Sequence, residues 1–352
     1  MDFGVFIPIG NNGWIISKNS PQYMPSFELN KQITLAAEKH GFEFVLSMVK
    51  LRGFGGETEF WDHNLESFTL MAGLAAVTEK IKLYASTAIL TLHPAMVARM
   101  AVTIADISNG RFGINLVSGW NMSEYDQMGL WPGDEHFANR YDRSSEYVAV
   151  MKDLWENGRS SFQGEFYQLD DCLVQPKPNS HITIVGAGQS DRGMQFCAEY
   201  GDYNFIVTPS DLELMRSMSN QLQEAAAKTG RKVGAYALNM IFIKDTDAEA
   251  EAYVQYCKDG ADTEALAFMM GMAAADVNAS ETSTARQILQ DMQNNCMFNI
   301  NVIAGSPATV ARKVDEIAAI PGVAGMMFTF PDFVEGVERF GTEVMPLLVC
   351  NK

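Results

Sequence analysis

Cationic charge, paired cysteines and long apolar runs are all scarce in this chain of 352 residues. Against 43 Asp and Glu stand 26 Lys and Arg, a formal net charge of −17. A surface of that sign disfavours the phosphate backbone of nucleic acids and anionic membranes, so neither is an expected partner. The five cysteines, Cys172, Cys197, Cys257, Cys296 and Cys350, are odd in number, scattered and without a CxxC pair. They predict reduced thiols rather than a disulfide framework or a zinc site. No stretch of about 18 uninterrupted apolar residues offers a membrane span, and MDFGVFIPIG has neither the basic region nor the small-residue cleavage site of a secretory signal. A cytoplasmic location is the expectation.

Hydrolytic motifs are missing as well. The five histidines form no HExxH or HxH pair, which argues against a metal centre. Ser118 has no GxSxG elbow around it and no placed base. A chain without an evident acid–base or nucleophile set points to chemistry carried by a cofactor.

What is present is an alternation of strands and helices. Eight short apolar runs read as parallel strands buried on both faces: FGVFIPI (3–9), FEFVLS (42–47), IKLYAST (81–87), RFGINLV (111–117), ITIVGAG (182–188), YNFIVT (203–208), YALNMIFI (236–243) and AGMMFTF (324–330). Amphipathic stretches separate them, at 28–40, 65–79, 94–108, 137–156, 191–200, 211–229, 247–259 and 307–320. Eight strands in this rhythm favour an α/β fold of the closed (β/α)8 barrel type over an open sheet. No repeat or linker divides the chain, so a single domain over 1–352 is expected. Insertions are expected near 48–64, 118–137, 158–178 and 260–299, the third with the turn and alternation of a hairpin.

The first insertion is the most informative. It places Arg52, Phe54, Phe60, Trp61, Asp62 and His63 within twelve positions and leads to a helix expected to begin near Asn64. It is about three times longer than the roughly 2–6 residues usual for such connections. Its glycines, Gly53, Gly55 and Gly56, suggest a lid that closes over a site, with a self-packed surface loop as the alternative. In barrels the C-terminal strand ends carry the chemistry, so this insertion and the one at 118–137 are expected to face one pocket.

Three further features bear on chemistry. ITIVGAGQSDRG has Gly186 and Gly188, but Asp191 stands where a dinucleotide fingerprint needs its third glycine. What remains is a helix N-terminus at Ser190 that either holds one phosphate or is simply capped. Arg140-Tyr141 offers a bidentate phosphate donor with a Tyr that can hydrogen-bond the phosphate or lie along a planar ring, or else is a plain surface arginine. Asn115, in the middle of an apolar strand, suits the edge of a heterocycle such as a flavin or a pyrimidine, or else is a satisfied core amide; Ser86 is a hydroxyl near the end of the third strand.

Long, uncommon strings then carry a resemblance: VFIPIGNNGWIIS (5–17), PQYMPSFELNK (21–31), LRGFGGETEFWDHNLESFTLMAGLAAVT (51–78), RFGINLVSGW (111–120), YDQMGLWPGDEHFANRYD (125–142) and GAGQSDRGM (186–194). Through them the chain is similar to the bacterial luciferase-like family of flavin-dependent monooxygenases, and within it to members that open pyrimidine rings. The resemblance implies a (β/α)8 barrel, reduced FMN supplied by a separate NAD(P)H-dependent flavin reductase, O2 as co-substrate, and uracil or thymine cleaved between N3 and C4 to a ureidoacrylate. It also implies a homo-oligomer. Carried over by position, the flavin contacts are Val49, Lys50, Asn115, Glu124, Arg140, Tyr141 and Ser190, with Ser86 and Asn115 at the reactive edge. Ser86 stands where the family commonly has Thr, which keeps the hydroxyl and loses a methyl. Trp61, Trp120 and Trp131 are candidate pocket walls. The residues alone leave open a related monooxygenase of another small heterocycle or of a sulfonate, and a flavin-binding protein without turnover.

Overall fold

The computed structural model describes residues 1–274 and 295–351. The chain runs β1 (Asp2–Ile7), α1 (Phe27–Lys39), β2 (Phe44–Ser47), α2 (Ser67–Ala75), β3 (Lys82–Ala88), α3 (Pro94–Ile107), β4 (Phe112–Val117), α4 (Met122–Asp126) and α5 (Glu135–Asn157). It continues through β5 (Arg159–Ser160), β6 (Cys172–Leu173), β7 (Thr183–Gly186), α6 (Asp191–Tyr200), β8 (Tyr203–Val207), α7 (Leu212–Lys228), β9 (Gly234–Ile243), α8 (Asp247–Asp259) and α9 (Thr263–Ala274). Beyond the undescribed stretch come β10 (Asn301–Gly305), a helix Pro307–Ala318, β11 (Val323–Thr329) and a helix Phe333–Arg339.

Eight parallel strands close on themselves in the order β1-β2-β3-β4-β7-β8-β9-β11, and β11 returns to β1. All eight are strands expected from sequence, and all but β8, whose burial alternates, are almost wholly buried because helices cover one side and the barrel interior fills the other. The barrel closes at its N-terminal end with stacked rings. Tyr203 lies 4.1 Å from Tyr236 and Phe44 4.5 Å from it, and the Tyr236 hydroxyl donates to Asp2 Oδ2 at 3.1 Å. That end is a packed floor, so ligand space is confined to the other.

β10 was not anticipated. It pairs in parallel with the second half of β9, Asn239–Ile243, after β8 has used the first half, Gly234–Leu238. A ten-residue strand is long enough to serve two neighbours on one side. The hairpin expected near 158–178 is present as the antiparallel pair β5–β6, extended by a bridge between Gln163 and Gln168. In the insertion expected over 260–299, positions 275–294 lie outside the described residues.

The second helix starts later than the sequence suggested. Asn64 instead bridges Gly10, the Leu65 N–H donates to the Ile9 carbonyl, and the Glu66 carboxylate caps the N–H groups of Phe68 and Thr69 at 2.9 and 2.7 Å. Among the described residues no helix is long and apolar enough to cross a membrane.

Candidate active site

A cleft opens at the C-terminal ends of the strands, with about 1350 Å³ of atom-free space including its mouth. Its wall contains Val49 and Lys50 after β2, Ser86 on β3 and Asn115 on β4. Glu124 on α4, Arg140 and Tyr141 on α5 and Ser190 at the start of α6 complete the set singled out from sequence. Residues up to 141 positions apart in the chain thus meet because the strands that carry them are neighbours or near neighbours in the barrel.

Asn115 sits at the end of a chain of hydrogen bonds. Its Nδ2 donates to Ser86 Oγ at 2.7 Å, the Ser86 hydroxyl donates to the Ser47 carbonyl, and the Ser86 N–H donates to Ser67 Oγ at 2.8 Å. Ser67 and Ser47 share a further bond of 2.6 Å between hydroxyls. Because the Ser86 proton is directed to a backbone carbonyl, its oxygen must accept from the amide, and this fixes which way Asn115 is turned. Asn115, which lines the cleft, keeps Oδ1 buried without a partner among the described residues. Ser86 borders the cleft with its hydrogen directed to the Ser47 carbonyl, and its oxygen, accepting from Nδ2, orients the neighbouring amide.

At the opposite end of this polar side Ser190, Tyr141 and Arg140 come together. Ser190 caps α6, its Oγ accepting from the Gly193 N–H at 3.2 Å, so the capping role is present. Gly188 and Gly193 lie so close that a Cβ on Gly188 would fall 2.5 Å from the Gly193 Cα. That contact draws the β7–α6 turn against the helix end. Burial raises the pKa of the Tyr141 hydroxyl above the ordinary tyrosine value, which keeps it protonated. Arg140 is 6% exposed and its guanidinium lies 5.5 Å from the Tyr141 ring centre.

Lys50 and Glu124 form a buried ion pair of 2.7 Å, and the second Glu124 oxygen accepts from the Leu51 N–H at 3.0 Å. The ammonium also lies 4.2 Å from the Phe54 ring centre and within 6 Å of Trp61 and Trp120. Two charges out of water require such close pairing, since either alone would be strongly destabilising. The carboxylate leaves the lysine little net charge to offer a substrate anion.

The long loop after β2 is a wall rather than a lid. Thr58 N–H and hydroxyl both donate to Asp262 Oδ2 at 2.8 Å, Asn11 and Asn12 hold the carbonyls of Glu59 and Thr58 at 2.9 Å, and Trp61 Nε1 donates to the Gly13 carbonyl at 2.7 Å. Phe54, Phe60 and Trp61 are buried. Gly56, at φ +76°, is needed because a Cβ there would lie 2.5 Å from the Asp262 carboxylate. Its glycine therefore serves close approach, and these long-range ties anchor the loop against the barrel.

Around this wall lies an aromatic side that sequence reasoning missed. Trp14, Phe6, Phe205 and Phe298 line the cleft with Trp61 and Trp120. Trp14 packs 4.1 Å from Phe6 and 4.9 Å from Trp61, and Trp61 stacks on Phe298 at 4.6 Å. Trp61 and Phe298 both hold positive φ, 60° and 54°, a strained backbone that only surrounding packing maintains. Trp14 stands within the string NNGWIIS, the one signal that pointed to it. Trp131 is not part of the wall; it packs on His136 and Phe137 at 5.1 and 5.2 Å.

Comparison with known proteins agrees with this architecture. The luciferase-like monooxygenase family matches residues 1–324. A pyrimidine monooxygenase RutA from a Bradyrhizobium species is 58% identical over 357 residues, covering 100% of this chain and 98% of the relative. The protein of the same name from Rhizobium rhizogenes is 54% identical over 354 residues, covering 100% and 97%. Among solved structures, a riboflavin lyase with modified FMN and riboflavin superposes with a TM-score of 0.82 at 17% identity, covering 99% of this chain and 91% of that one, a likeness of fold. With a family match over most of its length and relatives above half identity end to end, the chain belongs to the luciferase-like monooxygenases.

Proposed function

We propose that the protein is a flavin-dependent monooxygenase that opens the ring of uracil or thymine between N3 and C4 to a ureidoacrylate product. It would use O2 and reduced FMN delivered by a separate NAD(P)H-dependent flavin reductase. The observation that carries the reading is the convergence in one cleft of an anion cradle, an oriented amide and an aromatic wall. Identity above half to relatives named pyrimidine monooxygenase supports the substrate class.

The residues present fit FMN. Arg140, Tyr141 and the Ser190 helix end suit its phosphate, and the buried, unpartnered Asn115 Oδ1 suits an N–H at the edge of a ring. Val49 and the Lys50–Glu124 pair would border the ring system after β2. Bound and reduced, the flavin supplies the electrons that activate O2.

The chain's own contributions follow from the geometry. Asn115, held by Ser86, presents an acceptor and its second amide hydrogen at fixed positions, so it orients ring edges without reorganising during the reaction. The tied loop and its rings exclude water, which favours oxygen transfer to substrate over loss as hydrogen peroxide. Neutralisation of Lys50 by Glu124 suits an uncharged heterocycle better than a sulfonate, which would want convergent cations.

The test is a coupled assay with flavin reductase, NADH, FMN and uracil. The reading predicts one uracil consumed per O2, with ureidoacrylate formed. Oxygen consumption that releases hydrogen peroxide and leaves uracil and thymine intact would replace it with a flavin-binding protein that turns over neither.

A further inference from the structure

Trp14 carries an unusual buried donor. The residue is 7% exposed, and its indole N–H is covered yet has no acceptor among the described residues. The buried indoles of Trp61 and Trp155 show the ordinary arrangement, donating to the carbonyls of Gly13 and Ala98 at 2.7 and 3.1 Å. Trp14 lines the cleft as Trp61 does, but its N–H, unlike that of Trp61, is not taken up by a backbone carbonyl. Its ring is gripped by Phe6 at 4.1 Å, by Trp61 edge-on at 4.9 Å and by Phe298 at 5.8 Å, so the N–H is held in place.

The cleft is also asymmetric in a way that assigns this donor. Anion-holding groups lie on the β4, α5 and α6 side, whereas Trp14 belongs to the aromatic side with Phe6, Phe205 and Phe298. A cofactor anchored by its phosphate in the cradle leaves the aromatic side for a second planar molecule. Flat faces there favour a heterocycle, and a fixed, unpartnered N–H favours one that carries an exocyclic carbonyl.

We propose that Trp14 Nε1–H is a specificity-determining donor to a carbonyl oxygen of the pyrimidine substrate, in a subsite walled by Phe6, Phe205 and Phe298. The assignment rests on the functional reading above. A site built with a buried donor selects for ligands that accept from it, because a ligand unable to do so leaves the donor unpaired.

Trp14→Phe removes the N–H and keeps an aromatic ring. The protein loaded with oxidised FMN is titrated calorimetrically with uracil, 2-thiouracil and 4-thiouracil, whose sulfur is a poorer acceptor than oxygen. The unaltered protein is expected to bind uracil about tenfold more tightly than one of the two thio analogues, the worth of one neutral hydrogen bond. In Trp14→Phe the uracil affinity should fall about tenfold and the preference over that analogue should vanish, with FMN affinity unchanged. Equal affinity of the unaltered protein for all three ligands overturns the assignment without recourse to the variant. A Trp14→Phe protein that keeps both the uracil affinity and the thio preference overturns it as well. If the variant turns over uracil with an unchanged KM, only the Trp14 assignment fails; if the unaltered protein neither binds nor consumes uracil, the functional reading fails with it.

Discussion

On the side of the cleft formed by β3, β4, α5 and the start of α6, polar groups are held by hydrogen bonds between neighbouring elements. Asn115 rests on Ser86, Ser86 on Ser47, and the Gly193 N–H on Ser190. On the side formed by β1, the loop after β2, β8 and the segment around Phe298, rings are held by one another, and the loop is tied from outside by Asn11, Asn12 and Asp262. The contrast teaches that one side fixes directions and the other fixes shape. Damage to the first should appear in cofactor binding and chemistry, whereas damage to the second should appear in stability and substrate choice.

The largest expected effect lies on the aromatic side. Trp61→Ala removes a buried ring that packs on Trp14, Phe54, Phe60 and Phe298 and strands the Gly13 carbonyl. Urea unfolding should show a loss of about 3–5 kcal/mol. A loss below about 1 kcal/mol would mean that the loop is a loose cover after all and would break the contrast.

Asn115→Leu attacks the polar side at similar volume. Single-turnover product formation should fall about 10²–10³-fold while the melting temperature moves little, since one buried amide bond to Ser86 is lost. Near-normal product would return Asn115 to the role of a core amide.

Arg140→Ala should weaken FMN binding by about 2–3 kcal/mol, read by fluorescence titration, through loss of a charge-assisted contact to phosphate. Riboflavin, which lacks the phosphate, should bind the altered and unaltered proteins alike. An equal loss for riboflavin would show that the arginine acts through packing.

The smallest effect concerns His136, which joins α5 to the backbone that follows β4 through contacts of 2.8 and 2.9 Å to the Ser118 and Gly119 carbonyls. Burial lowers its pKa from 6.5, so the folded chain favours the neutral ring. The associated stability is complete above pH 6.5 and is lost as pH falls through the lowered folded value. The melting temperature should therefore decline below that pH, and His136→Gln should flatten this part of the profile. An unchanged profile would remove the histidine from the support of the polar side.

The polar side was legible in sequence because its residues interrupt apolar patterns or cap a helix: Asn115 within FGINLV, Ser190 after GAGQ, Arg140 at a helix start. The eight barrel strands were legible because burial on both faces leaves continuous apolar runs. The aromatic side was not, because Trp14, Phe205 and Phe298 are apolar residues among many and meet only when β1, β8 and the segment before β10 converge. The loop misled in a different way. Its glycines looked like hinges, but Gly56 makes room for Asp262, a partner more than 200 positions away that no local pattern reveals. The delayed start of α2 has the same origin, since Leu65 is drawn to Ile9 by a distant backbone bond.

Parallel titration of Arg140→Ala and Trp14→Phe with FMN and, once loaded, with uracil tests the division of the cleft most directly. Opposite losses are expected: Arg140→Ala weakens FMN binding and, when saturated with FMN, keeps its uracil affinity, whereas Trp14→Phe keeps FMN affinity and binds uracil about tenfold more weakly. Loss of FMN affinity to the same extent in both variants, with uracil affinity equal in both, would contradict it.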